Sequence, residues 1–464
     1  MKKLLYISFF FLPVIAFSQQ PWYKSSPLDN AWKYVGTPFF SAGEADFITL
    51  AFSSSGQPYV AFKDYGNSLK ATVMKFDGTS WVNVGNAGFS AGEVTFTSLA
   101  ISPTDGQPYV AFDDYEKDNK ITVMKFNGVN WVDFGTAGFS AGYALSVNLA
   151  FSPSGEPYVA YQDGGNLNKA TVMKFDGTTW INVGNAGFSA GAVQGTSLAI
   201  GTSDGQPYVA YQDGDSANYL KATVMKFDGN SWENVGNAGF SIGKVWYLSL
   251  DFSQSGEPYL AYQDWANSYK ATVMKFDGTS WMNVGNAGFS EGNADFTSLA
   301  FSPSGQPYVA FEDCGNNCGT TVMKFDGTNW INVGPASFSF TQADFTNLVF
   351  NPSDSQPYVA YRDYGNSEKA TVMKYDSVYV GVNEQRETRL LLYPNPTTDK
   401  ITIETSAMPT QSQLSIMNLN GQEVLTRQIT EPKTHVEISM LPSGVYFVRL
   451  TGERTVEVGK IIKE

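Results

Sequence analysis

Histidine and arginine are scarce in this 464-residue chain, which excludes several kinds of catalytic site. The single histidine, His435, lies beyond the internal repeats described below, so the repeats cannot hold a Ser-His-Asp triad, a histidine metal site or a histidine-ligated copper centre. Arg362 is the only arginine of the repeats, which excludes an arginine cluster that grips a substrate carboxylate. Paired carboxylates such as Glu44 with Asp46 are the remaining hydrolytic groups, and acidic loop residues are more often simply solvated. We therefore expect no enzymatic activity.

Cysteine is also rare, since the chain has only Cys314 and Cys318, separated by three residues. In an exported protein the two could form a local disulfide, although the loop is too short to stabilise the fold much through chain entropy. A metal site would need more ligands than a CxxxC pair supplies. We expect the disulfide.

Excess positive charge is absent, and so are long apolar runs beyond the N-terminus. The formal net charge of -14 opposes binding to nucleic acid or to an anionic membrane, and it fits an ordinary soluble surface. No later segment approaches the roughly 20 apolar residues that a transmembrane helix requires.

Residues 1–18 combine Lys2 and Lys3, an apolar run over 4–16 and a small-x-small site at 16–18. They are predicted to be a secretory signal peptide, removed before Gln19.

What the chain does contain is a repeat. A Val-Met-Lys-aromatic core returns seven times, at Val73, Val123, Val172, Val224, Val273, Val322 and Val372. The spacing of roughly 50 residues indicates a solenoid, a propeller or an array of small units. With 44 Gly, 21 Pro and 15% aromatic residues, the composition favours an all-β protein with many tight turns.

Each repeat contains four short apolar or alternating runs bounded by turn residues, which predict four strands, a to d. In the first copy these runs are residues 48–52, 58–63, 70–76 and 80–84. Both faces of the strands are apolar, as expected for sheets packed between two other sheets. Four-stranded units of this length predict the blades of a β-propeller.

The ends of the repeat region are offset by one strand. Residues 32–35 form a d strand without a preceding a, b and c, whereas the last unit has a, b and c without d. Pairing the two would complete seven blades and remove both free sheet edges. We therefore predict a lead segment at 19–31, a seven-bladed β-propeller of four-stranded blades at 32–377, closed by an N-terminal outer strand, and a linker at 378–388.

The stretch at residues 77–81, Asp-Gly-Thr-Ser-Trp, looks like the Asp-box of sialidases but has one residue fewer between Asp and Gly. We interpret Asp-Gly as a hairpin turn with positive φ and the Trp as a packing residue.

The b to c and d to a loops should emerge on one face of the ring, which we call the loop face, and the short turns on the other, the turn face. On the loop face every b strand ends in Asp, and in five units an Asn follows three residues later. These oxygens could bind sugar hydroxyls or calcium, one site per blade, or they could cap turns by bonding to nearby backbone. The candidate ligand residues are Asp64, Asp114, Asp163, Asp213, Asp264, Asp313 and Asp363, with Asn67, Asn166, Asn267, Asn316 and Asn366.

The C-terminal stretch reads as a small β-sandwich, with seven alternating runs at 390–393, 400–404, 414–419, 424–428, 435–438, 444–450 and 456–462. Four motifs stand in it: Tyr393-Pro394-Asn395-Pro396; residues 416–422 with Gly421 and Gln422; residues 441–448 with Pro442, Gly444 and Tyr446; and residues 459–463 with Lys460. Together they resemble the type A sorting domain of the type IX secretion system of Bacteroidota, over about 389–464. The resemblance implies passage through the periplasm, contact with the type IX machinery, export across the outer membrane, and a protein anchored on the cell surface or released.

We therefore expect an exported propeller that binds a glycan or a surface partner through the loop face, with several similar sites acting together. No cofactor is expected, although the Asp ring could bind calcium. One alternative is a rigid display or spacer module without a ligand of its own, and another is a carboxylate-based polysaccharide hydrolase or lyase.

Overall fold

The computed structural model describes residues 31–339, 341–376, 390–404, 412–451 and 456–464. The predicted signal peptide, most of the lead segment and the predicted linker lie outside these residues. The chain divides into two compact units with a boundary at residue 377. No helix in the described part of the chain is long and apolar enough to cross a membrane.

The described residues of the first unit form seven four-stranded antiparallel sheets. Strand β1 spans Ala31–Tyr34 and belongs to the last sheet. Sheets 1 to 3 comprise β2 (Ala45–Phe52), β3 (Pro58–Asp64), β4 (Lys70–Phe76) and β5 (Trp81–Asn83); β6 (Val94–Ile101), β7 (Pro108–Asp114), β8 (Lys120–Phe126) and β9 (Trp131–Asp133); and β10 (Ala144–Phe151), β11 (Pro157–Asp163), β12 (Lys169–Phe175) and β13 (Trp180–Asn182).

Sheets 4 to 7 repeat the pattern. They comprise β14 (Val193–Ile200), β15 (Pro207–Asp213), β16 (Lys221–Phe227) and β17 (Trp232–Asn234); β18 (Val245–Phe252), β19 (Pro258–Asp264), β20 (Lys270–Phe276) and β21 (Trp281–Asn283); β22 (Ala294–Phe301), β23 (Pro307–Asp313), β24 (Gly319–Phe325) and β25 (Trp330–Asn332); and β26 (Ala343–Phe350), β27 (Pro357–Asp363) and β28 (Lys369–Asp376) with β1. Five of the b to c loops contain a single-turn 3-10 helix, at Tyr65–Asn67, Tyr115–Lys117, Gly164–Asn166, Trp265–Asn267 and Tyr364–Asn366.

Consecutive sheets pack face to face, and sheet 7 also packs against sheet 1. One apolar core joins Val60 and Phe62 of sheet 1 to Ala360 and Val372 of sheet 7, and comparable cores fill the other junctions. β1 pairs with β28 in antiparallel register, with Trp32 opposite Tyr375. The N-terminal strand thus completes the last sheet, as the offset of the repeat predicts. The ring of seven sheets is consistent with the predicted β-propeller.

The repeated tryptophan links each sheet to the one before it. The indole Nε1 of Trp81 donates a hydrogen bond of 2.7 Å to the Val35 carbonyl, and its ring stacks on Phe40 at 4.2 Å between centroids. All seven copies make both contacts, through Trp32, Trp81, Trp131, Trp180, Trp232, Trp281 and Trp330. These Trp are therefore packing residues, as the sequence predicts, and each fixes the position of its sheet against the preceding one.

The Asp-Gly element before the Trp is a turn, also as predicted. Gly78 has a φ of 102°, a left-handed conformation that favours glycine. The Asp77 carboxylate accepts hydrogen bonds of 2.8 Å from the backbone N–H groups of Thr79 and Ser80. These bonds lower the pKa of Asp77.

The second unit is a two-sheet β-sandwich, consistent with the prediction. One sheet contains β29 (Leu391–Tyr393), β30 (Lys400–Glu404) and β33 (Lys433–Glu437), and the other β31 (Ser412–Met417), β32 (Glu423–Ile429), β34 (Gly444–Thr451) and β35 (Val456–Lys463). A core that includes Ile401, Ile403, Leu414 and Val448 lies between them.

Candidate ligand-binding face

The seven aspartates at the ends of the b strands are buried, with at most 3% of each residue exposed. In sheet 1, Asp64 Oδ1 accepts a hydrogen bond of 2.9 Å from Gly66 N. Its Oδ2 accepts bonds from Asn67 Nδ2 at 2.7 Å and Thr72 Oγ1 at 2.8 Å. One carboxylate thus caps the 3-10 turn and anchors the next strand.

The same network recurs around the ring with small changes. Asp163, Asp264 and Asp313 each receive an Asn Nδ2, a backbone N–H and a Thr hydroxyl. Asp114 has no Asn donor, and Asp213 accepts a hydrogen bond of 3.5 Å from Asn218 Nδ2. Asp363 accepts hydrogen bonds from Asn366 Nδ2 and Thr341 Oγ1. Because these oxygens are buried and occupied within the chain, the contacts favour turn capping over direct ligand contact, the two alternatives that the sequence leaves open.

Exposed aromatic side chains lie immediately beyond these caps. The residue that follows the capping Asp is Tyr65, Tyr115, Trp265 or Tyr364 in sheets 1, 2, 5 and 7, with 42%, 63%, 50% and 42% of its surface exposed. We call these four residues the aromatic tips. Reasoning from the sequence singled out the Asp of each loop but not its aromatic neighbour, although the pattern Asp-Tyr or Asp-Trp was visible.

Other sheets carry an exposed aromatic on the same face from a different position. In sheet 3 the tip position is Gly164, and a Cβ there would lie 2.4 Å from the Tyr143 ring, so Tyr143 occupies that space. Sheet 4 exposes Tyr219, with Lys244 Nζ 4.9 Å from its ring centroid. On the turn face, the only large hydrophobic side chain exposed among the described residues is that of Val129. Exposed aromatic surface is therefore concentrated on the loop face.

The innermost strands carry a second aromatic set, on the ring axis. The register of each a strand shifts at a β-bulge, so that two residues such as Phe47 and Ile48 stand opposite one residue of the b strand. The bulge residue has a φ between 49° and 54° in all seven strands: Phe47, Phe96, Ser146, Gly195, Tyr247, Phe296 and Phe345. Sequence reasoning missed this bulge, and the single glycine among the seven copies was the one signal for it.

These bulges surround a cavity of about 290 Å³ that is lined by all seven inner strands. Five bulge aromatics form a continuous arc, with neighbouring centroids 4.7–5.2 Å apart from Tyr247 through Phe296, Phe345 and Phe47 to Phe96. The arc is interrupted at Ser146 and Gly195. We call this space the axial cavity, and each bulge is the third residue of its eight-residue strand, counted from the loop face.

Charged residues gather beside the axial cavity on the loop-face side. Arg362 forms ion pairs with Asp46 and Asp344, and its Nη1 lies 3.2 Å from Glu44. The guanidinium also lies 5.0 Å from the ring centroids of Phe345 and Tyr364, so it connects the cavity to an aromatic tip. Glu44 and Asp46, the carboxylate pair considered from the sequence, are thus both paired with Arg362.

Glu312 and its neighbours add further acidic groups. Burial and the nearby Asp344 and Asp295 carboxylates raise the pKa of Glu312 to about 9, so the side chain is protonated at neutral pH. Burial and the same three acids raise the pKa of Tyr247 to about 12. These three acidic side chains therefore lie near Tyr247, on the loop-face side of the axial cavity.

The two cysteines are bonded to each other. Glu312 lies close enough to both sulfurs for a shared metal ion. Sulfurs that are joined in a disulfide are not available as thiolate ligands, so this cluster does not act as a metal site in the oxidised protein.

In the C-terminal unit the predicted motif residues connect the first motif to the last strand. Asn395 donates through Nδ2 to the Lys460 carbonyl at 2.7 Å and accepts from Ile462 N at 2.9 Å. Tyr446 donates its hydroxyl to the Pro442 carbonyl at 2.8 Å. Gly421 has a φ of 77° in the turn that precedes Gln422, and Gly444 begins β34.

Comparisons with solved structures give similarities at low identity. PorZ, a surface component of the type IX secretion system of Porphyromonas gingivalis, is 13% identical with a TM-score of 0.48, over 93% of this chain and 60% of PorZ, so this chain spans less than two thirds of that protein. A lectin of Aleuria aurantia is 18% identical with a TM-score of 0.44, over 65% of this chain and 97% of the lectin. A polysaccharide lyase, an ulvan lyase, is 10% identical with a TM-score of 0.48, over 73% and 95%. At these values no function is transferred.

No curated protein matches the sequence. The family model of the secretion system C-terminal sorting domain matches residues 391–464 and confirms the resemblance that the four motifs indicate. Residues 391–464 therefore belong to the family of type IX secretion C-terminal sorting domains.

Proposed function

We propose that the protein is exported by the type IX secretion system and that its ring, a seven-bladed β-propeller, binds a glycan through the loop face. The sorting domain supports the export route and a cell-surface or secreted location. The observation that carries the binding proposal is the concentration of exposed aromatic side chains on the loop face.

Exposed aromatic rings suit a sugar ligand for a physical reason. One face of a pyranose ring presents C–H groups that pack on the negative face of an aromatic ring, while tyrosine hydroxyls and neighbouring polar groups bond the sugar hydroxyls. Leaving large aromatic groups in water has no stabilising effect on the fold, so their clustering points to a contact surface.

The arrangement also supports multivalent binding. Six of the seven sheets place an aromatic side chain on the loop face, through Tyr65, Tyr115, Tyr143, Tyr219, Trp265 and Tyr364. Asp64, Asp114 and Asp264 cap the turns that carry three of the tips, and Asp363 holds the fourth loop through Asn366 and Thr341. Weak sites held in fixed positions on one rigid ring gain affinity for a repeating polymer because later contacts are intramolecular. In this account the Asp and Asn ring positions the binding groups and does not contact the glycan.

The test is a glycan array probed with the full mature chain, in calcium and in chelator. We expect binding to a related set of glycans, and little effect of chelator because the Asp oxygens are already occupied. A variant with Tyr65→Ala, Tyr115→Ala, Trp265→Ala and Tyr364→Ala should lose most of this binding.

The matched control removes exposed hydrophobic side chains elsewhere on the ring, through Val129→Ala, Ile181→Ala, Met282→Ala and Ile331→Ala. These side chains are also exposed but lie outside the loop face. The proposal is contradicted if the control loses binding as much as the aromatic variant does. A blank array with folded protein would favour the display-module alternative or a protein partner.

A carboxylate-based hydrolase or lyase is the second candidate, because a protonated Glu312 beside Asp295 and Asp344 has the groups of an acid and base pair. Glu312 is 2% exposed, which argues against direct access of a polysaccharide. Release of products from a polysaccharide panel that stops in Glu312→Gln would favour this candidate.

A further inference from the structure

We propose that the axial cavity is a separate binding site for one uncharged sugar ring, which it takes as the terminal residue of a glycan. This inference rests on the proposed function and specifies a second site and its ligand class. The volume of about 290 Å³ lies just below the range for ligand pockets, roughly 300–1,000 Å³, and suits a single ring more than a chain.

The asymmetry of the cavity supports a ligand site rather than a uniform plug. Five of the seven bulge positions carry aromatic rings in mutual contact, whereas the adjacent sheets 3 and 4 carry Ser146 and Gly195. Replacing two large side chains by small ones leaves open space on one side of an aromatic wall. A sugar ring in that space has its C–H face against the arc and its edge toward the gap.

The rest of the lining supplies hydrogen-bonding groups. Thr97 Oγ1 donates to the Phe47 carbonyl at 2.6 Å. Thr297 and Thr346 make the same contact with the bulge of the preceding sheet. A hydroxyl whose proton is donated in this way retains oxygen lone pairs that accept hydrogen bonds. The lining therefore offers acceptors for the hydroxyl groups of a sugar.

The charges beside the cavity select against acidic ligands. Asp46 and Asp344 already neutralise Arg362, and Asp295 stands nearby without a cationic partner of its own among the described residues. A uronate or sulfated sugar would meet net negative charge there, and like-charge juxtaposition costs binding free energy. An uncharged sugar avoids this electrostatic repulsion.

The test uses a substitution that the repeat itself provides. Ser146→Phe places a phenylalanine at a bulge that four other sheets occupy with phenylalanine, at φ values of 49–53° like that of Ser146. The substitution should therefore fold while it fills the gap. Binding of methyl glycosides of glucose, mannose, galactose and N-acetylglucosamine to the full chain is measured by saturation-transfer NMR and titration, with glucuronic acid as the acidic probe.

We expect at least one neutral glycoside to bind the natural chain, glucuronic acid not to bind, and Ser146→Phe to abolish the signal. A second variant, Phe296→Ala, removes one of the five aromatic rings of the arc and should weaken binding about fivefold while leaving the fold intact. Equal binding of a neutral glycoside to the natural chain and to Ser146→Phe would overturn the inference. It would also be overturned if glucuronic acid bound the natural chain as tightly as the neutral glycosides do.

The four-residue aromatic-tip variant separates this inference from the proposed function. If it loses polysaccharide binding while Ser146→Phe behaves like the natural chain, the loop-face function stands and the axial site does not. If it retains methyl glycoside binding that Ser146→Phe lacks, the axial site stands on its own. No binding of any array glycan or methyl glycoside by folded protein would overturn both.

Discussion

Asp251 gives the sharpest test of how the ring is packed. It is the seventh residue of the innermost strand of sheet 5, a position that the other six sheets fill with alanine or valine. Its carboxylate accepts a hydrogen bond of 2.8 Å from Phe252 N. Burial nevertheless raises the pKa of Asp251 to about 7. We predict that Asp251→Ala, which restores the residue of the repeat, stabilises the protein above pH 7.

The sign follows from proton binding. The folded protein keeps the Asp251 proton to a higher pH than the unfolded chain does, so raising the pH from about 4 to 7 favours unfolding. A rise in the Asp251 pKa from the usual aspartate value of 3.8 to about 7 corresponds to roughly 4 kcal/mol at full effect. Allowing for partial access of water, we expect Asp251→Ala to raise the free energy of unfolding at pH 8 by about 2–4 kcal/mol. Near pH 4 this electrostatic gain should be almost absent.

The assay is urea unfolding of the natural chain and Asp251→Ala at pH 4.5 and pH 8, with the slopes compared as a check on two-state behaviour. Ala300→Asp, at the same position of sheet 6, is the reciprocal control and should destabilise the protein more at pH 8 than at pH 4.5. An effect of Asp251→Ala that is the same at both pH values, or a variant that is less stable at pH 8, would show that burial of the Asp251 carboxylate does not destabilise the ring.

Other predictions concern the caps, the stacking ring, the disulfide and the tail. Asp163→Asn should lower the free energy of unfolding by about 1–3 kcal/mol, because one buried acceptor becomes a donor; the isosteric change leaves the surface intact, and an unchanged urea midpoint would argue against capping. Trp131→Phe keeps one six-membered ring for stacking on Phe89 but removes the indole N–H and part of the packed surface, and we expect a loss of about 2–4 kcal/mol by the same assay; no loss would contradict the packing role. Reducing Cys314–Cys318 should cost about 2 kcal/mol at most, since the loop is short; global unfolding on reduction in a thermal scan would contradict this. Deletion of 391–464 should leave the protein inside the outer membrane by cell fractionation, and normal export would oppose the assigned route.

Much of the ring was predictable from the sequence because its determinants are local and repeated. The Asp-Gly turns and the b strands follow from short-range rules that seven copies reinforce, and the pairing of the displaced d strand follows from the need to remove both free sheet edges. The d strands are shorter in the structure than predicted, for example Trp81–Asn83, although Val84 N still donates to the Val73 carbonyl at 2.9 Å.

The a strands show where local rules fail. The first begins at Ala45 rather than Ile48 because a bulge at Phe47 lets pairing continue on both sides of it. A positive φ at phenylalanine is not expected from propensity, since the residue carries a Cβ. Packing around the axis imposes it, and packing depends on all seven sheets together.

The candidate site likewise combines features that the sequence predicts with features that only the structure shows. The sequence indicated the loop face, and it left capping and ligand contact open for residues such as Asp64. Only the three-dimensional contacts show that Asp64 is buried and bonded on both oxygens. The exposure of its neighbour Tyr65 likewise depends on how the 3-10 turn orients the side chain.

A structure of the protein in complex with a glycan would show whether the loop face binds it. The full chain would be crystallised with a glycan selected on the array. We predict sugar rings packed on aromatic tips such as Tyr115 and Trp265, with the capping Asp residues not in contact with sugar. Sugar bound only on the turn face, or held through the carboxylates of the Asp ring, would contradict it.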